Sequence, residues 1–573
     1  MVELNLVNLL AKQSGSIPKW TGRGPAAEIS EKGFLEFLTG LHNKTGFSVP
    51  AANFVPLEIV TRKQGTVLLS QWLDSANPFQ ALYEAHELNP DLDGVQLTLV
   101  TSRQAIDAQS RDKWLRSEND GRFGVEVSLS GFTYRVSPFD TIATNRSLRQ
   151  WFENWLNERA LTRTDFDKLG GKFTCLVCRQ FAFTSTKPYG VTEFYRGNTV
   201  ATAVPLDASV DKLIGGICRW YMANLGTDGA IPYKYWPSSG MYSSADNPIR
   251  RFMASIAFNR LALHLGRSDV KAAAKKNLQF NLQRFYRLEN GEGQIYWQDS
   301  VKLGALALAG LAIVESPFAD EWKEQLSEIR KSVDKLWQPD GAFRTFLVPE
   351  GRNDNQNFYP GEALLFWATL VEKEPDDELL RKALASVDYY RQHFRSRPNP
   401  AFVPWHTQAV AILFKITGDE KLRDYIFEMN DWLLPHQQWG DPVAPDCWGR
   451  FYSPGKPEFG PPHASSTGVY MEGLVDALLL ALEIGDGKRA GSYFQAIERG
   501  VRSISQLQFQ NILDAYYIHH RDRVLGAIRT EVTNNEIRVD NLQHPLMALL
   551  RFQALVLRNP ESMKTLKSGG VEK

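Results

Sequence analysis

The spacing of hydrophobic and polar positions changes near residue 205. Before that point, short runs rich in Val, Thr, Phe and Leu alternate in part with polar residues, which is typical of strands with one buried face. These runs lie at 55–69, 95–101, 123–136 and 172–184. The segment 147–158 has helical spacing instead. We therefore predict an α+β domain over residues 1–205, and its role cannot be inferred from any motif in it.

Residues 206–560 have almost only helical spacing, in runs of about 15 to 20 residues. A polar tail, 561–573, follows and is predicted to be disordered. The predicted helices span 207–226, 248–265, 268–287, 301–315, 319–337, 361–373, 376–395, 405–417, 419–434, 466–485, 488–508 and 544–558.

The links between these twelve helices alternate in length. Links after the second helix of each pair are short, such as 266–269 and 418–420, whereas links after the first helix are long and aromatic, such as 227–247 and 436–465. Loops of 20 to 35 residues without secondary structure normally count against an assignment unless they are functional. The alternation places all long loops at one end of the assembly, which favours a functional mouth there.

The two sets of helices also differ in polarity. The segment 301–314 is apolar on nearly every side and rich in small residues, as a helix buried all round requires. The segments 320–337 and 377–395 keep a charged face for water. Six buried inner helices inside six amphipathic outer helices make a mainly α protein, an (α/α)6 toroid of six helical hairpins preceded by the smaller α+β domain.

Residues 207–558 resemble the six-hairpin superfamily. That group includes glucoamylase-like and unsaturated-glucuronyl hydrolases, sugar 2-epimerases and the helical domain of D-glucuronyl C5-epimerases. The turns that begin at Asp228-Gly-Ala-Ile, Asp340-Gly-Ala-Phe and Trp448-Gly-Arg-Phe are similar to turns that recur before inner helices in such folds. The resemblance implies a carbohydrate-related pocket over the N-terminal ends of the inner helices, and no single enzyme's catalytic motif is matched.

Titratable side chains occur at the start of every predicted inner helix. Each also has a structural interpretation, because acids suit the first turn of a helix and Asp is a common N-cap. Glu472 is the least ordinary, since a carboxylate inside an apolar helix needs a partner. The candidate catalytic residues are Asp246, Asp299, Glu362, Glu472, His406, His463 and His544.

Aromatic side chains are frequent in the long loops. Aromatic faces beside amides and charges suit sugar rings, although such rings also pack loops onto a barrel. The candidate substrate-binding residues are Arg250, Asn357, Gln543, Tyr470, Trp236, Trp297, Tyr359, Trp405 and Trp448.

Composition excludes several classes of partner. The chain has 65 basic and 65 acidic residues in 573, so we expect no binding to nucleic acid or to an anionic membrane surface. No apolar run approaches 18 residues, which predicts no membrane span.

Four cysteines cannot form a disulfide framework, and we expect a cytoplasmic protein. Cys175 and Cys178 lie three apart in a predicted strand and so point to opposite faces. Cys447 and His463 flank one long loop, but no zinc motif accompanies them. No cofactor and no metal site are predicted.

The sequence thus predicts an enzyme that acts on a small or oligomeric saccharide, or on a uronic-acid-like substrate. Hydrolysis needs one carboxyl acid and one carboxylate, which the four candidate acids can supply. Epimerisation or isomerisation needs bases on both sides of a carbon atom, a role for His406, His463, His544 or Tyr470. A non-catalytic binding or assembly subunit is the third hypothesis, and a homo-oligomer is left open.

Overall fold

The computed structural model describes residues 55–88, 93–184, 190–201 and 204–568. The predicted domain 1–205 and the predicted tail 561–573 both extend beyond these residues. No helix in the described ranges is long and apolar enough to cross a membrane.

Among the described residues of the N-terminal region, seven antiparallel strands form one sheet, as the alternating runs predict. The sheet order is β2-β1-β3-β6-β4-β5, with β7 also paired to β6. The strands are β1 Val55–Lys63, β2 Thr66–Ala76, β3 Gly94–Ile106, β4 Phe123–Leu129, β5 Phe132–Val136, β6 Lys172–Thr184 and β7 Gly190–Phe194. The helices of this region are α1 Pro78–Leu88, α2 Arg111–Trp114, α3 Pro138–Thr144, α4 Leu148–Asn157 and α5 Arg163–Lys168.

The two faces of this sheet differ in polarity. In β6, Phe173, Cys175 and Phe181 share one face and pack in apolar clusters with residues of α1, α4 and α5. Gln180 and Ala182 point to the other face, and Ala182 belongs to the core of the helical region. The sheet therefore joins the helical region through its more polar face.

Specific contacts connect the sheet to the long loops of the helical region. The ring of Phe139 lies edge-on to Tyr517 with centroids 5.4 Å apart. Arg196 donates a hydrogen bond of 2.7 Å to Asp446, and both side chains are buried. Arg529 donates to the side chain of Asn198.

Twelve helices follow, in the alternating order that the sequence predicts. The outer helices are α6 Leu206–Asn224, α8 Ser268–Phe285, α10 Lys323–Leu336, α12 Asp377–Ser396, α14 Glu420–Leu433 and α16 Gly487–Leu507. The inner helices are α7 Pro248–Leu265, α9 Leu303–Val314, α11 Tyr359–Lys373, α13 Val403–Thr417, α15 Ala464–Glu483 and α17 Asp540–Phe552.

The inner helices form a closed ring. Each packs against the next, and α17 packs against α7. Every residue of α9 is buried, whereas α10 buries only one face. This confirms the (α/α)6 toroid and the placement of the most apolar segment in its inner layer.

The long loops carry more secondary structure than the sequence predicts. One four-stranded sheet has the order β14-β15-β8-β9 and a second has the order β10-β11-β12-β13, so the expectation of structureless loops is wrong. Cross-strand pairing gives these loops backbone partners. The strands are β8 Lys234–Trp236, β9 Met241–Tyr242, β10 Tyr286–Glu289, β11 Glu292–Trp297, β12 Ser300–Lys302, β13 Phe346–Val348, β14 Arg529–Glu531 and β15 Asn534–Arg538.

Two of the recurring turn glycines fix loops against outer helices. Gly229 has φ of +98°, and an added Cβ would lie 2.4 Å from the carbonyl oxygen of Lys276 in α8. Gly449 has φ of +92° and meets the carbonyl oxygen of Arg499 in α16 in the same way. Only glycine combines the left-handed conformation with such a close approach of two backbones.

The end of the chain differs from the prediction of a disordered tail. Helix α18, Pro560–Ser568, covers most of the segment 561–573. Proline begins the helix, and the buried Leu566 and the partly buried Met563 pack it against the core of the toroid. Residues 569–573 lie outside the described ranges.

Candidate active site

Glu472 and His544 form a buried pair between two adjacent inner helices. Nδ1 of His544 in α17 lies 2.8 Å from Oε1 of Glu472 in α15. The Glu472 side chain is 2% exposed, and burial raises its pKa, which the hydrogen bond from His544 opposes. Because a carboxylate is the acceptor at this position, we assign the imidazole proton to Nδ1.

The other nitrogen of His544 is left available. Nε2 has no hydrogen-bond partner among the described residues, and the side chain is 12% exposed. The Trp405 ring packs edge-on with its centroid 5.9 Å from that of the imidazole. The arrangement is an imidazole held by a carboxylate on one side, with a lone pair free on the other.

Asp540 lies one turn before His544 on α17 and forms ion pairs with two arginines. Arg250 of α7 donates to Asp540 over 2.9 Å and Arg538 over 2.8 Å. Burial disfavours the ionised carboxyl, but the two arginines outweigh burial and hold the pKa of Asp540 below its usual value. Arg250 also donates to the hydroxyl of Tyr233. Asp540 is therefore a charged partner of the arginines rather than a free acid.

Glu362 is a buried carboxyl in the first turn of α11. It is 4% exposed, and its Oε2 has no partner within the described residues. Burial raises the pKa of Glu362 to about 8, so the group is mostly neutral at pH 7. An added Cβ at Gly304 of α9 would lie 2.1 Å from Oε2, so the absence of a side chain there makes room for the carboxyl.

Glu362 and the Glu472–His544 pair are connected through packed residues. An added Cβ at Gly361 would lie 2.6 Å from Cβ of Trp405, and Trp405 in turn contacts His544. In the closed ring, α11 and α17 are three places apart and thus lie across from each other.

His463 lies at the rim, just before α15. Its Nδ1 is buried without a partner in the described part of the chain. Burial and the neighbouring Arg538 lower the pKa of His463 to about 4, so the ring is neutral near pH 7.

His406 packs against Gly361 of inner helix α11, where an added Cβ would lie 2.8 Å from its Nδ1, and against outer helix α12. Its ring stacks on Phe402 at 3.5 Å, Nδ1 lies 3.0 Å from the Phe402 carbonyl oxygen, and Tyr390 of outer helix α12 is 5.5 Å away. Burial lowers the pKa of His406 to about 3. The ring is packed in the core, and its Nε2 is buried without a hydrogen-bond partner among the described residues.

Asp246 and Asp299 lie apart from the Glu472–His544 pair. Asp246 accepts from Arg251 at 2.6 Å and Arg284 at 3.2 Å, and so links α7 to α8. Asp299 is exposed in the turn between β11 and β12, where the hydroxyl of Tyr296 donates to it over 2.8 Å.

Most of the predicted aromatic contacts pack loops. Trp236 donates to Glu536 at 3.1 Å and Trp448 to the Val443 carbonyl at 2.8 Å. Trp297 packs edge-on to Phe285, Tyr359 lies beside Phe346 and Tyr470 lies edge-on to Phe451. Asn357 is half-buried just before α11. Large exposed aromatic surface at the loop end comes from Tyr242, Phe358 and Trp439.

Two cavities lie away from the Glu472–His544 pair. One of about 400 Å³ opens at the opposite end of the toroid, where Lys415, Asp476 and Leu555 line it. A smaller one of about 20 Å³ lies between Tyr470, Phe451 and His436 near the mouth. Neither is lined by Glu362, Glu472 or His544.

The sequence indicates Tyr233 only as one of many aromatic residues in the long loops, and it does not single out Glu536. Glu536 in β15 binds Lys234 at 3.0 Å and Trp236, and Tyr233 binds Arg250. Strand alternation over 534–538 is the signal that predicts a paired loop strand there. It does not show which loop supplies the partner.

In the described part of the chain, no three His, Cys, Asp or Glu side chains are close enough together to hold a metal ion. All four cysteines have free thiols. Cys175 is buried and Cys178 partly exposed, on opposite faces of β6 as expected.

Comparisons with known proteins give structural likeness only. No model of a protein family matches the chain, and no curated protein sequence does. The alpha-1,6-mannanase GH76A of Salegentibacter sp. HEL1_6 is similar at a TM-score of 0.44, with 11% identity over 60% of this chain and 98% of that chain. An unsaturated glucuronyl hydrolase specific for heparin scores 0.45, with 13% identity over 61% and 96%. A sugar epimerase from a ruminal bacterium scores 0.42, with 12% identity over 54% and 88%.

Proposed function

We propose that the protein is a carbohydrate-active enzyme that moves a proton to and from a sugar carbon, with His544 as the base. The observation that carries this proposal is the hydrogen bond between Nδ1 of His544 and Glu472, which leaves Nε2 as the proton acceptor. A carboxylate behind an imidazole fixes its tautomer and stabilises the imidazolium ion that forms.

The reaction class follows from the chemistry of an imidazole base that a carboxylate orients. A proton next to the carbonyl group of an open-chain sugar is acidic enough for such a base. His544 takes that proton through Nε2 and returns it from the same side to the neighbouring carbon, while a hydroxyl proton moves from one oxygen to the other, which gives an aldose–ketose isomer. Return of the proton to the other face of the carbon, which gives an epimer, requires a second proton donor on that side. No other bond to carbon breaks, and no cofactor is consumed.

Two features support a saccharide as the substrate. Tyr242, Phe358 and Trp439 expose aromatic surface on loops at the same end as the pair, and Arg250 and Arg538 supply donors. Aromatic faces with neighbouring donors suit the CH faces and hydroxyls of sugars. The architecture that the sequence resembles also occurs in carbohydrate enzymes.

Hydrolysis is the second candidate, and Glu362 favours it. A carboxyl that stays neutral at pH 7 is suited to protonate a glycosidic oxygen, and His544 would then activate water. This function requires Glu362 and the Glu472–His544 pair to reach one bond from opposite sides.

Proton NMR in D₂O distinguishes the two reactions. We expect the enzyme, incubated with D-glucose, D-mannose, D-fructose and their α- and β-linked disaccharides, to exchange a carbon-bound proton of a free sugar and convert it to another sugar. Release of reducing ends from a disaccharide without such exchange would support hydrolysis instead. Binding without either reaction would contradict an enzymatic function.

Variants of the pair locate the reaction. His544→Gln should abolish exchange. The matched control is His264→Gln, because His264 bonds Gln553 at 2.9 Å near the opposite end of α7. Equal loss in both variants would contradict a role for His544 as base.

A further inference from the structure

Gln543 is a buried amide at the start of the last inner helix. Its side chain lies in the first turns of α17 and is 1% exposed. Neither Oε1 nor Nε2 has a hydrogen-bond partner among the residues that the structure describes. Because both ends of the amide are unpaired, this conclusion is the same whichever of the two atoms is assigned as oxygen and which as nitrogen. Such a group disfavours the folded state unless something else binds it.

The position of Gln543 relates it to the proposed base. Asp540, Gln543 and His544 follow one another at i, i+3 and i+4, so their side chains share one face of α17. That face meets Arg250 through Asp540 and Glu472 through His544. The unpaired amide therefore lies beside the groups that would handle the substrate.

The chemistry of an amide restricts what can satisfy it. Nε2 only donates and Oε1 only accepts, so the complementary group must offer an acceptor and a donor side by side. Two neighbouring hydroxyls of a sugar do so. A carboxylate accepts at both oxygens, leaves Oε1 unpaired, and would add a negative charge near Asp540 and Glu472.

We propose that Gln543 binds two neighbouring hydroxyls of the substrate and selects a neutral sugar over a uronate at that position. This proposal rests on the proposed carbohydrate function and narrows the substrate class that the sequence left open. A site built to hydrogen-bond a hydroxyl discriminates strongly against an analogue that lacks it, because the buried group is then left unpaired.

A cycle of protein and ligand changes tests the proposal. Isothermal titration calorimetry first measures the binding of D-glucose, D-mannose, D-galactose and D-fructose. The monodeoxy derivatives and the hexuronic acid of the sugar that binds most tightly are then measured in the same way. We expect that removing either of two adjacent hydroxyl groups from the sugar weakens its binding to the unchanged enzyme about 10- to 100-fold. The same removal should change binding to Gln543→Leu by less than about threefold. Equal losses in both proteins at every position would overturn the proposal.

Gln553 provides the matched control. It is a buried glutamine downstream in the same chain segment, but its amide is satisfied by His264 at 2.9 Å and Asp211 at 2.6 Å. Gln553→Leu should lower the melting temperature and leave the dependence on each hydroxyl unchanged. Gln543→Leu should leave the melting temperature unchanged or raise it. A loss of stability in Gln543→Leu as large as that in Gln553→Leu would make the amide a structural group and overturn the proposal.

The outcomes separate this proposal from the proposed function. If a hexuronate is bound and converted better than its hexose and His544→Gln abolishes that conversion, the enzyme function stands and the role of Gln543 fails. If none of the sugars or uronates binds the unchanged enzyme, both fail together.

Discussion

The carboxylate of Glu472 accepts a hydrogen bond from Nδ1 of His544 across 2.8 Å, joining inner helices α15 and α17 near the long-loop end of the toroid. The two residues are 72 positions apart in the sequence. A buried carboxylate is costly without such a partner, so the pair stabilises the ring while it orients the imidazole.

Glu472→Gln should slow turnover by about 10²-fold or more, which is the lower end of what general acid–base groups contribute. Gln keeps an acceptor for Nδ1 but cannot stabilise an imidazolium ion, so kcat should fall more than KM changes. Steady-state kinetics across pH 5–9, with melting temperature as a check on folding, measures this. Unchanged kcat in a folded variant would contradict the role of the carboxylate.

Glu362→Gln should remove a pH-dependent cost of folding. The folded pKa, about 8, lies above the ordinary value of 4.5, so between these values the unfolded chain loses the proton and the folded chain keeps it. Stability therefore falls as pH rises through this window, by up to about 1.4 kcal/mol per pH unit. Urea unfolding from pH 5 to 9 should show a flatter profile for the variant and higher stability at pH 8.

The kinetics of the same variant distinguish the two candidate reactions. Loss of turnover of about 10²-fold would support Glu362 as the acid of a hydrolase. If Glu362→Gln keeps full proton exchange activity, the carboxyl group of Glu362 has a structural role only. A pH profile of stability identical to that of the unchanged protein would contradict the raised pKa.

The ring of helices was predictable because burial leaves a mark on every residue of an inner helix. In α9 the absence of any polar face predicts the inner layer, and the alternation of loop lengths predicts the order. Helix starts were less predictable. The last inner helix begins at Asp540 rather than at residue 544. An Asp at this point of the sequence resembles a residue that precedes a helix, but here its side chain binds two arginines from within the first turn.

The site was predictable in composition but not in pairing. Glu472 stood out as a carboxylate in an apolar helix, and it is indeed the residue with a histidine partner. His406 and Glu362 occupy the same fourth position of their helices, yet Phe402 and Tyr390 pack against the ring of His406. Spacing gives the face of a helix, whereas the neighbours come from other helices and loops that no local pattern specifies.

His406→Asn should leave turnover within about threefold and improve stability in acid. The folded pKa, about 3, lies below the ordinary 6.5, so the unfolded chain binds a proton in this window that the folded chain does not. Stability therefore falls as pH drops from 6.5 towards 3, by up to about 1.4 kcal/mol per pH unit. Asn keeps a donor near the Phe402 carbonyl and removes the titration.

Unfolding by urea at pH 4, 5 and 6 measures this difference. The slope of stability against pH should be smaller in His406→Asn than in the unchanged protein. Loss of turnover in a stable variant would instead return His406 to the catalytic candidates.

Arg196→Met should destabilise the whole protein, because it leaves Asp446 as a buried charge without its partner. The two side chains are each 3% exposed and 2.7 Å apart, and Arg196 also donates to the carbonyl groups of Glu118 and Asp120. Breaking a buried pair on one side costs about 3–5 kcal/mol, whereas replacing both partners with apolar residues costs far less. Arg196→Met combined with Asp446→Leu should therefore recover much of the loss.

The matched control is Arg381→Met, which breaks an exposed pair with Glu378 at 2.8 Å and should change the free energy of unfolding little, because water screens exposed pairs. Urea unfolding followed by tryptophan fluorescence and by circular dichroism measures all three variants. Because Arg196 joins the N-terminal sheet to the loop before α15, coincident transitions by both probes would show that the sheet and the toroid unfold together. Equal effects of Arg196→Met and Arg381→Met would contradict a structural role for the buried pair.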